Sequence, residues 1–266
     1  MKWEPGHQSN DVVDNRGKGG GVSASTAVTL LRLGSMFGWK GVVGAVVLLG
    51  AIMVVSSMSS SPTGSDTQVQ FVSFVVDDIQ ATWSRLMPGY RKAELVVFRG
   101  TTATACGVES AASGPFYCPA DGRVYIDLAF YDALSSQLGA PGDFAEAYVI
   151  GHEFGHHLQN LTGTEARAAQ GAGQNSDAVK IELQADCYAG VWAHDAAKRG
   201  LLEVGDPEEA MNAASRIGDD VLQSQTGKVR PESFTHGTAE QRVRWLKIGF
   251  ESGDPRQCDT FSAARL

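Results

Sequence analysis

Apolar residues recur at helical spacing from about residue 67 onwards and predict one folded domain. Between residues 67 and 86 they lie three or four positions apart, which favours an amphipathic helix. Two short runs, AELVVFRG and RVYID, favour strands. The pattern after them is almost entirely helical, with helices expected in LAFYDALSSQLG, from Asp143, from Asp177 to about Arg199, from Asp206 and in GTAEQRVRWLKIGFESG. The sequence therefore predicts an α+β domain over residues 67–266, mostly helical with a small β-sheet.

An uncharged apolar stretch precedes this domain. The run Gly41–Met58 has the length of about 18 residues that a membrane-spanning helix needs as a minimum. We expect a transmembrane helix over residues 37–58. Around it we expect a disordered tail over residues 1–36, which are rich in Gly, Ser, Asn and charge, and a flexible linker over residues 59–66.

Charged residues around this stretch predict its orientation. Arg32 and Lys40 precede it, and no positive charge follows before Arg85. The positive-inside rule then places the N-terminus in the cytoplasm and residues 60–266 outside it, as a single-pass protein of the cell membrane. A cleaved signal peptide is the alternative, which the long polar stretch before the apolar run disfavours.

The net charge of the chain argues against one class of binding partner. The whole chain carries −8, and its first 40 residues carry +2, which leaves −10 for the remainder. Nucleic acid is therefore excluded as the main partner, because a phosphate backbone requires a basic surface.

The four cysteines fit a domain in an oxidising compartment. They are even in number, and all follow the apolar stretch. Three pairings are possible. We favour Cys106–Cys118, which closes a short loop, and Cys187–Cys258, which ties the C-terminal segment to a central helix. No C-x-x-C spacing supports a cysteine zinc site instead.

The segment VIGHEFGHHLQN carries the chemistry that the sequence displays most clearly. His152 and His156 are four residues apart, so a helix presents both imidazoles on one face, with Glu153 at its edge. This is the H-E-x-x-H pattern of a catalytic zinc site, with two ligands and a general base. A surface helix that carries histidines by chance is the alternative.

A catalytic zinc ion needs a third protein ligand and an open position. The continuation with a third histidine is excluded, because Gln159 and Thr162 occupy the positions that this class requires as Gly and His. We predict Glu182 as the third ligand of one Zn²⁺ ion. Asp186 follows one helical turn later and is placed to accept a hydrogen bond from a ligating histidine.

Four further residues are less constrained by the pattern. His236 precedes the last helix and is a candidate hydrogen-bond donor to a developing oxyanion, or else a residue that only caps that helix. Arg242 could orient a site carboxylate, although a plain surface pair is the favoured interpretation. His157 is expected at the surface or behind the ligands, and His194 in a structural role or in solvent.

Several motifs together resemble the bacterial neutral zinc metallopeptidases. They are HEFGHHLQN, ELQADCYAGVWA, HGTAEQR, the pair CG…GPFYCP and an N-terminal MKW before a single anchor. The resemblance covers essentially the whole chain, and a more distant one links it to thermolysin-like zincins. It implies a zincin-like domain in which His152, His156 and Glu182 bind zinc and Glu153 is the base. By the same analogy RVYID, Arg123–Asp127, is the edge strand that holds the substrate main chain.

The expected function is a membrane-anchored zinc metallopeptidase acting on peptide or protein substrates, with Glu153 as base. One alternative is a non-catalytic, zinc-stabilised binding module of the cell envelope. Another is a zinc amidase that acts on cell-wall peptides. An intact Glu153 favours the enzyme, because a structural zinc site has no use for a base.

Overall fold

The computed structural model describes residues 1–17, 62–110, 114–164 and 171–266. The strands are β1 (Val12–Asp14), β2 (Leu95–Phe98), β3 (Thr101–Thr104), β4 (Gly107–Ser110), β5 (Phe116–Cys118) and β6 (Arg123–Asp127). The α-helices are α1 (Pro62–Leu86), α2 (Ala129–Ser136), α3 (Asp143–Thr162), α4 (Asp177–Lys198), α5 (Asp206–Arg216), α6 (Asp219–Thr226) and α7 (Ala239–Ser252). The predicted α+β class, dominated by helices, is confirmed.

The main sheet has the strand order β1-β2-β6-β5. Its first three strands are parallel, and β5 runs antiparallel to β6. A turn at Gly122, which has a φ of +70° and donates its N–H to the Cys118 carbonyl at 2.9 Å, joins β5 to β6. The expectation that Arg123–Asp127 forms the edge is therefore wrong, because β6 is paired on both sides, whereas β1 and β5 lie at the two edges of this sheet.

The helices pack closely because small residues face each other. A Cβ atom added at Gly155 of α3 would lie 2.8 Å from the Cα of Ala185 in α4. At Gly151, one turn earlier, it would lie 3.1 Å from the Trp192 ring of α4. Helix α4 also packs along α7, so it is enclosed by two neighbours. This arrangement brings the polar face of α3 against the polar face of α4.

Residues 1–17 belong to the folded domain, so the predicted disordered tail is wrong for this part. Strand β1 pairs in register with β2, Met1 is buried, and the Trp3 ring packs edge-on against Phe71 of α1 at 5.5 Å. The amino group of Met1 lies 2.7 Å from the Asp143 carboxylate at the start of α3. Although this stretch is mostly polar, its few apolar residues and its backbone find partners on the rest of the domain, and these contacts hold it in place.

The predicted linker also needs correction, because α1 already begins at Pro62. The remainder of the predicted tail, the span 37–58 and linker residues 59–61 lie outside the described residues. Within the described ranges, no helix combines the length and apolar character needed to cross a membrane.

Two disulfides join the pairs favoured from the sequence. Cys106–Cys118 links the β3–β4 hairpin to β5, and Cys187–Cys258 ties the C-terminal segment to α4. The four cysteines of the chain are thereby all paired.

Candidate metal centre and active-site cleft

Helices α3 and α4 bring three candidate metal ligands together. His152 and His156 project from α3 and Glu182 from α4, with one ligand atom of each within 4.8 Å of the others. The Nε2 atoms of the two histidines lie 3.1 Å and 3.6 Å from the two Glu182 carboxylate oxygens. The contact of Gly155 with Ala185 allows this close approach.

The hydrogen bonds of the two imidazoles suit a cation between the Nε2 atoms. The Nδ1 atom of His152 lies 2.8 Å from an Asp186 oxygen, and that of His156 lies 2.9 Å from the amide oxygen of Gln159. Both acceptors require the proton on Nδ1, so in the neutral rings each Nε2 directs a lone pair towards Glu182. Two imidazole nitrogens and one carboxylate are a ligand set that catalytic zinc uses.

Although burial acts in the opposite direction, the carboxylates beside the two imidazoles raise the pKa of both histidines. Burial lowers the pKa of His156, but the Glu182 carboxylate outweighs this effect and raises that pKa to about 10. Burial raises the pKa of Glu182, but the neighbouring His156 lowers it by a larger amount. The resulting pKa lies well below the usual range of a glutamate. The site therefore favours positive charge between these side chains, which a metal ion would supply.

Asp186 connects the candidate ligand His152 to two buried side chains. Tyr148 was not predicted as part of the site, and Arg242 was predicted either to orient a site carboxylate or, as the favoured interpretation, to form a surface pair. The Asp186 carboxylate accepts hydrogen bonds from the Tyr148 hydroxyl at 2.6 Å and from Nε and Nη2 of Arg242 at 2.9 Å each. Burial raises the pKa of Asp186, yet Arg242 and His152 bring it down to about 2. Asp186 therefore stays a carboxylate that can orient His152.

Arg242 is 3% exposed, so its interpretation as a surface pair is wrong. The physical signal was weak, because its partner Asp186 is 56 residues away in the chain. Tyr148 offered a local clue that was missed, since it lies one helical turn before His152 on the same face of α3. Gln159, which lies one helical turn after His156, offered a similar local clue, because it can accept a hydrogen bond from that histidine.

Glu153 and His236 both line a cavity of about 960 Å³ that also exposes the three candidate ligands. His236 lies in the loop before α7, and its side chain is 53% exposed. Asp219 fixes this loop by accepting the backbone N–H groups of Thr235 and His236 at 2.7 Å each. Its hydrogen bond with the ring raises the pKa of His236 above the ordinary value.

The walls of this cavity are largely apolar, and one of them is the β5 edge. Gly114, Pro115, Phe116 and Tyr117 form that wall next to the candidate ligands. Apolar side chains from other elements complete the surface: Phe130, Leu138, Val149, Ile217 and Leu222. The arrangement is an open cleft with the polar candidate metal ligands at its floor and β5 along one side.

The remaining histidines lie away from the candidate ligands. His157 is 4% exposed and contacts Tyr117 and the Arg91 carbonyl, so it lies behind the cleft wall instead of at the surface. His194 lies 2.7 Å through Nδ1 from the Phe250 carbonyl, which confirms its structural role.

Comparison with known proteins connects this geometry to a family. The family model described as "Putative neutral zinc metallopeptidase" matches residues 1–261. The chain is 44% identical over 283 aligned positions to "Uncharacterized protein YpfJ" of Escherichia coli strain K12, covering 98% of this chain and 99% of that protein. It is 44% identical over 226 positions to "Uncharacterized protein Rv2575" of Mycobacterium tuberculosis strain H37Rv, covering 79% and 77%. No solved structure matches the chain.

Proposed function

Because the chain belongs to the neutral zinc metallopeptidase family, we propose that it hydrolyses peptide bonds with one zinc ion, in a zincin-like domain. The observation that carries this proposal is the convergence of His152, His156 and Glu182 at the floor of an open cleft, with Glu153 beside them. A structural zinc site would be closed by a fourth protein ligand. Here the candidate ligand set has three protein members among the described residues and opens into the cleft.

Zinc held by these three residues would supply Lewis acidity, which activates water and polarises the scissile carbonyl. Glu153 would take the proton from the attacking water and later deliver it to the leaving amine. His236 lines the same cleft and would donate a hydrogen bond to the carbonyl oxygen as negative charge develops there. Asp186 would keep His152 in the tautomer that leaves Nε2 available.

The β5 wall would contact an extended substrate that lies along the cleft. It forms part of the cleft surface and pairs with one neighbouring strand, β6. This proposal moves the substrate-contacting role first expected for Arg123–Asp127 to the wall that contains Phe116 and Tyr117. The apolar walls of the cleft would then accommodate apolar side chains of the substrate.

We further propose that the peptidase domain lies outside the cytoplasm, attached to the membrane through residues 37–58. Two disulfides in the described domain support the location, because such bonds persist in oxidising compartments. The sequence predicts a cytoplasmic N-terminus, but residues 1–17 pack on the same domain, so we propose that they lie outside the cytoplasm with it.

A peptide-library experiment tests the enzymatic proposal. The full chain is loaded with zinc, incubated with a mixed peptide library and with cell-wall peptides, and the products are identified by mass spectrometry. We expect cleavage of library peptides that stops when the zinc is chelated and returns when zinc is restored. Cleavage confined to cell-wall peptides would indicate an amidase, and no cleavage of either substrate would favour a binding module.

A further inference from the structure

His157, the residue after the candidate ligand His156, uses both of its ring nitrogens in the gap between α3 and β5. Its Nε2 lies 2.6 Å from the Arg91 carbonyl oxygen, which can only accept, so Nε2 carries the proton. Its Nδ1 lies 3.1 Å from the Tyr117 hydroxyl and must accept the hydroxyl proton if the ring is neutral.

A second residue of α3 also forms a hydrogen bond with the Tyr117 hydroxyl. Asn160, one turn after His157, donates its Nδ2 proton to the Tyr117 oxygen at 2.7 Å. One hydroxyl on β5 thus donates to His157 and accepts from Asn160, and both partners are on α3. We call these three residues the strand anchor.

Strand β5 depends on contacts of this kind for its position. It has three residues and pairs with one neighbouring strand, β6, so the hydrogen bonds of the sheet hold it from one side. The Cys106–Cys118 disulfide holds its last residue to the β3–β4 hairpin. The strand anchor supplies hydrogen bonds that join β5 directly to the helix carrying His152 and His156.

Adjacent residues on a helix point about 100° apart, so the side chains of His156 and His157 face different parts of the structure. His156 faces the candidate metal centre, and His157 faces the back of the cleft wall. Phe116 and Tyr117 are part of that wall. The distance between the metal centre and the strand edge is therefore set by side chains from one turn of α3.

We propose that His157, Tyr117 and Asn160 position β5 as a substrate-contacting wall of the cleft, so that the motif HEFGHH specifies both the candidate metal centre and the placement of this wall. The effect of the strand anchor on substrate binding rests on the proposed peptidase function. The anchor itself is a property of the fold that can be measured without turnover.

Two conservative variants test the anchor in the full, zinc-loaded chain. Tyr117→Phe removes the shared hydroxyl and keeps the ring, and His157→Gln removes the imidazole. His194→Gln is the matched control, because His194 also contacts a backbone carbonyl but lies between α4 and α7. Hydrogen exchange of backbone amides, zinc content and the kinetic constants are measured for each.

We expect faster exchange in residues 114–118 for both anchor variants, with zinc content equal to that of the wild type. KM should rise roughly three- to tenfold with kcat nearly constant, because β5 would hold substrate equally in the ground state and the transition state. The control should show neither change.

Unchanged exchange in residues 114–118 would overturn the proposal. Loss of zinc, or a fall of kcat at constant KM, would also overturn it, because either would place His157 with the metal centre. If the wild type cleaves no peptide, the peptidase proposal fails, and exchange together with zinc content still decides whether the anchor exists.

Discussion

At the scale of single residues, the candidate ligand His152 is held by a chain of buried polar side chains. Asp186 accepts its Nδ1 proton, and Arg242 and Tyr148 hold Asp186 in place. The His152, His156 and Glu182 set could be predicted from local spacing, because i and i+4 positions share a helix face. For Arg242 the sequence left two interpretations open and favoured the wrong one, because nothing in its own helix indicates that it is buried against a residue of α4.

Arg242→Lys tests this chain of contacts. Lysine keeps the charge but cannot make the two parallel hydrogen bonds to Asp186, so His152 should lose its fixed orientation. We expect zinc affinity to fall roughly 10- to 100-fold. The free energy of unfolding should fall by about 1–3 kcal/mol.

Isothermal titration of zinc and urea unfolding measure these two effects. Arg244→Lys, two residues along the same helix and only half-buried, is the control and should change neither quantity. Wild-type zinc affinity in Arg242→Lys would show that Asp186 orients His152 without help from the guanidinium.

At the scale of secondary-structure elements, the metal centre depends on how closely α3 and α4 approach. The helical periodicity predicted both helices, and both contain small residues of the kind that allows close packing, namely Gly151, Gly155, Ala185 and Ala189. The strands were harder, because β1 and β5 have only three residues each and lie in turn-rich or polar sequence. Their pairing depends on partners far away in the chain, which local patterns do not contain.

Gly155→Ala tests the role of helix approach. The new methyl group would lie 2.8 Å from the Ala185 Cα, which is backbone and cannot move aside, so α3 and α4 must separate. We expect a loss of about 1–3 kcal/mol in the free energy of unfolding and at least a tenfold loss of zinc affinity. Thermal unfolding with and without zinc measures both.

Gly151→Ala provides the comparison on the same helix face. Its methyl group would lie 3.1 Å from the Trp192 ring, a side chain that can shift by a few tenths of an ångström. We expect a smaller effect on zinc affinity than for Gly155→Ala. The reverse order of severity would mean that the contact at Gly155 does not set the ligand geometry.

At the scale of the whole molecule, the two parts of the chain that flank residues 18–61 belong to one folded body. Arg16 contacts the Asp66 carboxylate at 3.0 Å, and β1 is hydrogen-bonded to β2. A single membrane crossing over residues 37–58 would place Arg16 and Asp66 on opposite sides. The packing requires them on the same side, so we expect the N-terminal residues to accompany the peptidase domain.

Single-cysteine labelling of the full chain in intact cells tests this expectation. Arg16→Cys and Asp66→Cys each introduce one unpaired thiol, because the four native cysteines are all in disulfides. With a membrane-impermeant maleimide, either both variants should react or neither should. Arg16 is less exposed than Asp66, so labelling in lysed cells must first show that both thiols can react. Reaction of one variant alone in intact cells would then show that the chain crosses the membrane between them and that β1 does not pair with β2 in cells.

The contacts of residues 1–17 also affect how the protein should be prepared for activity measurements. Removing everything before α1 would delete β1 and the contact of Met1 with Asp143, at the start of the helix that carries His152. Activity measurements therefore need the full chain.

The most direct test of the central claim is the turnover and zinc content of Glu153→Gln in the full chain. Glutamine has nearly the same shape as glutamate but cannot accept the water proton, so the metal centre should remain while the base is lost. We predict zinc binding equal to that of the wild type and peptide cleavage reduced by at least 100-fold. Cleavage at the wild-type rate in the zinc-loaded variant would contradict the assignment of Glu153, and with it the proposed mechanism.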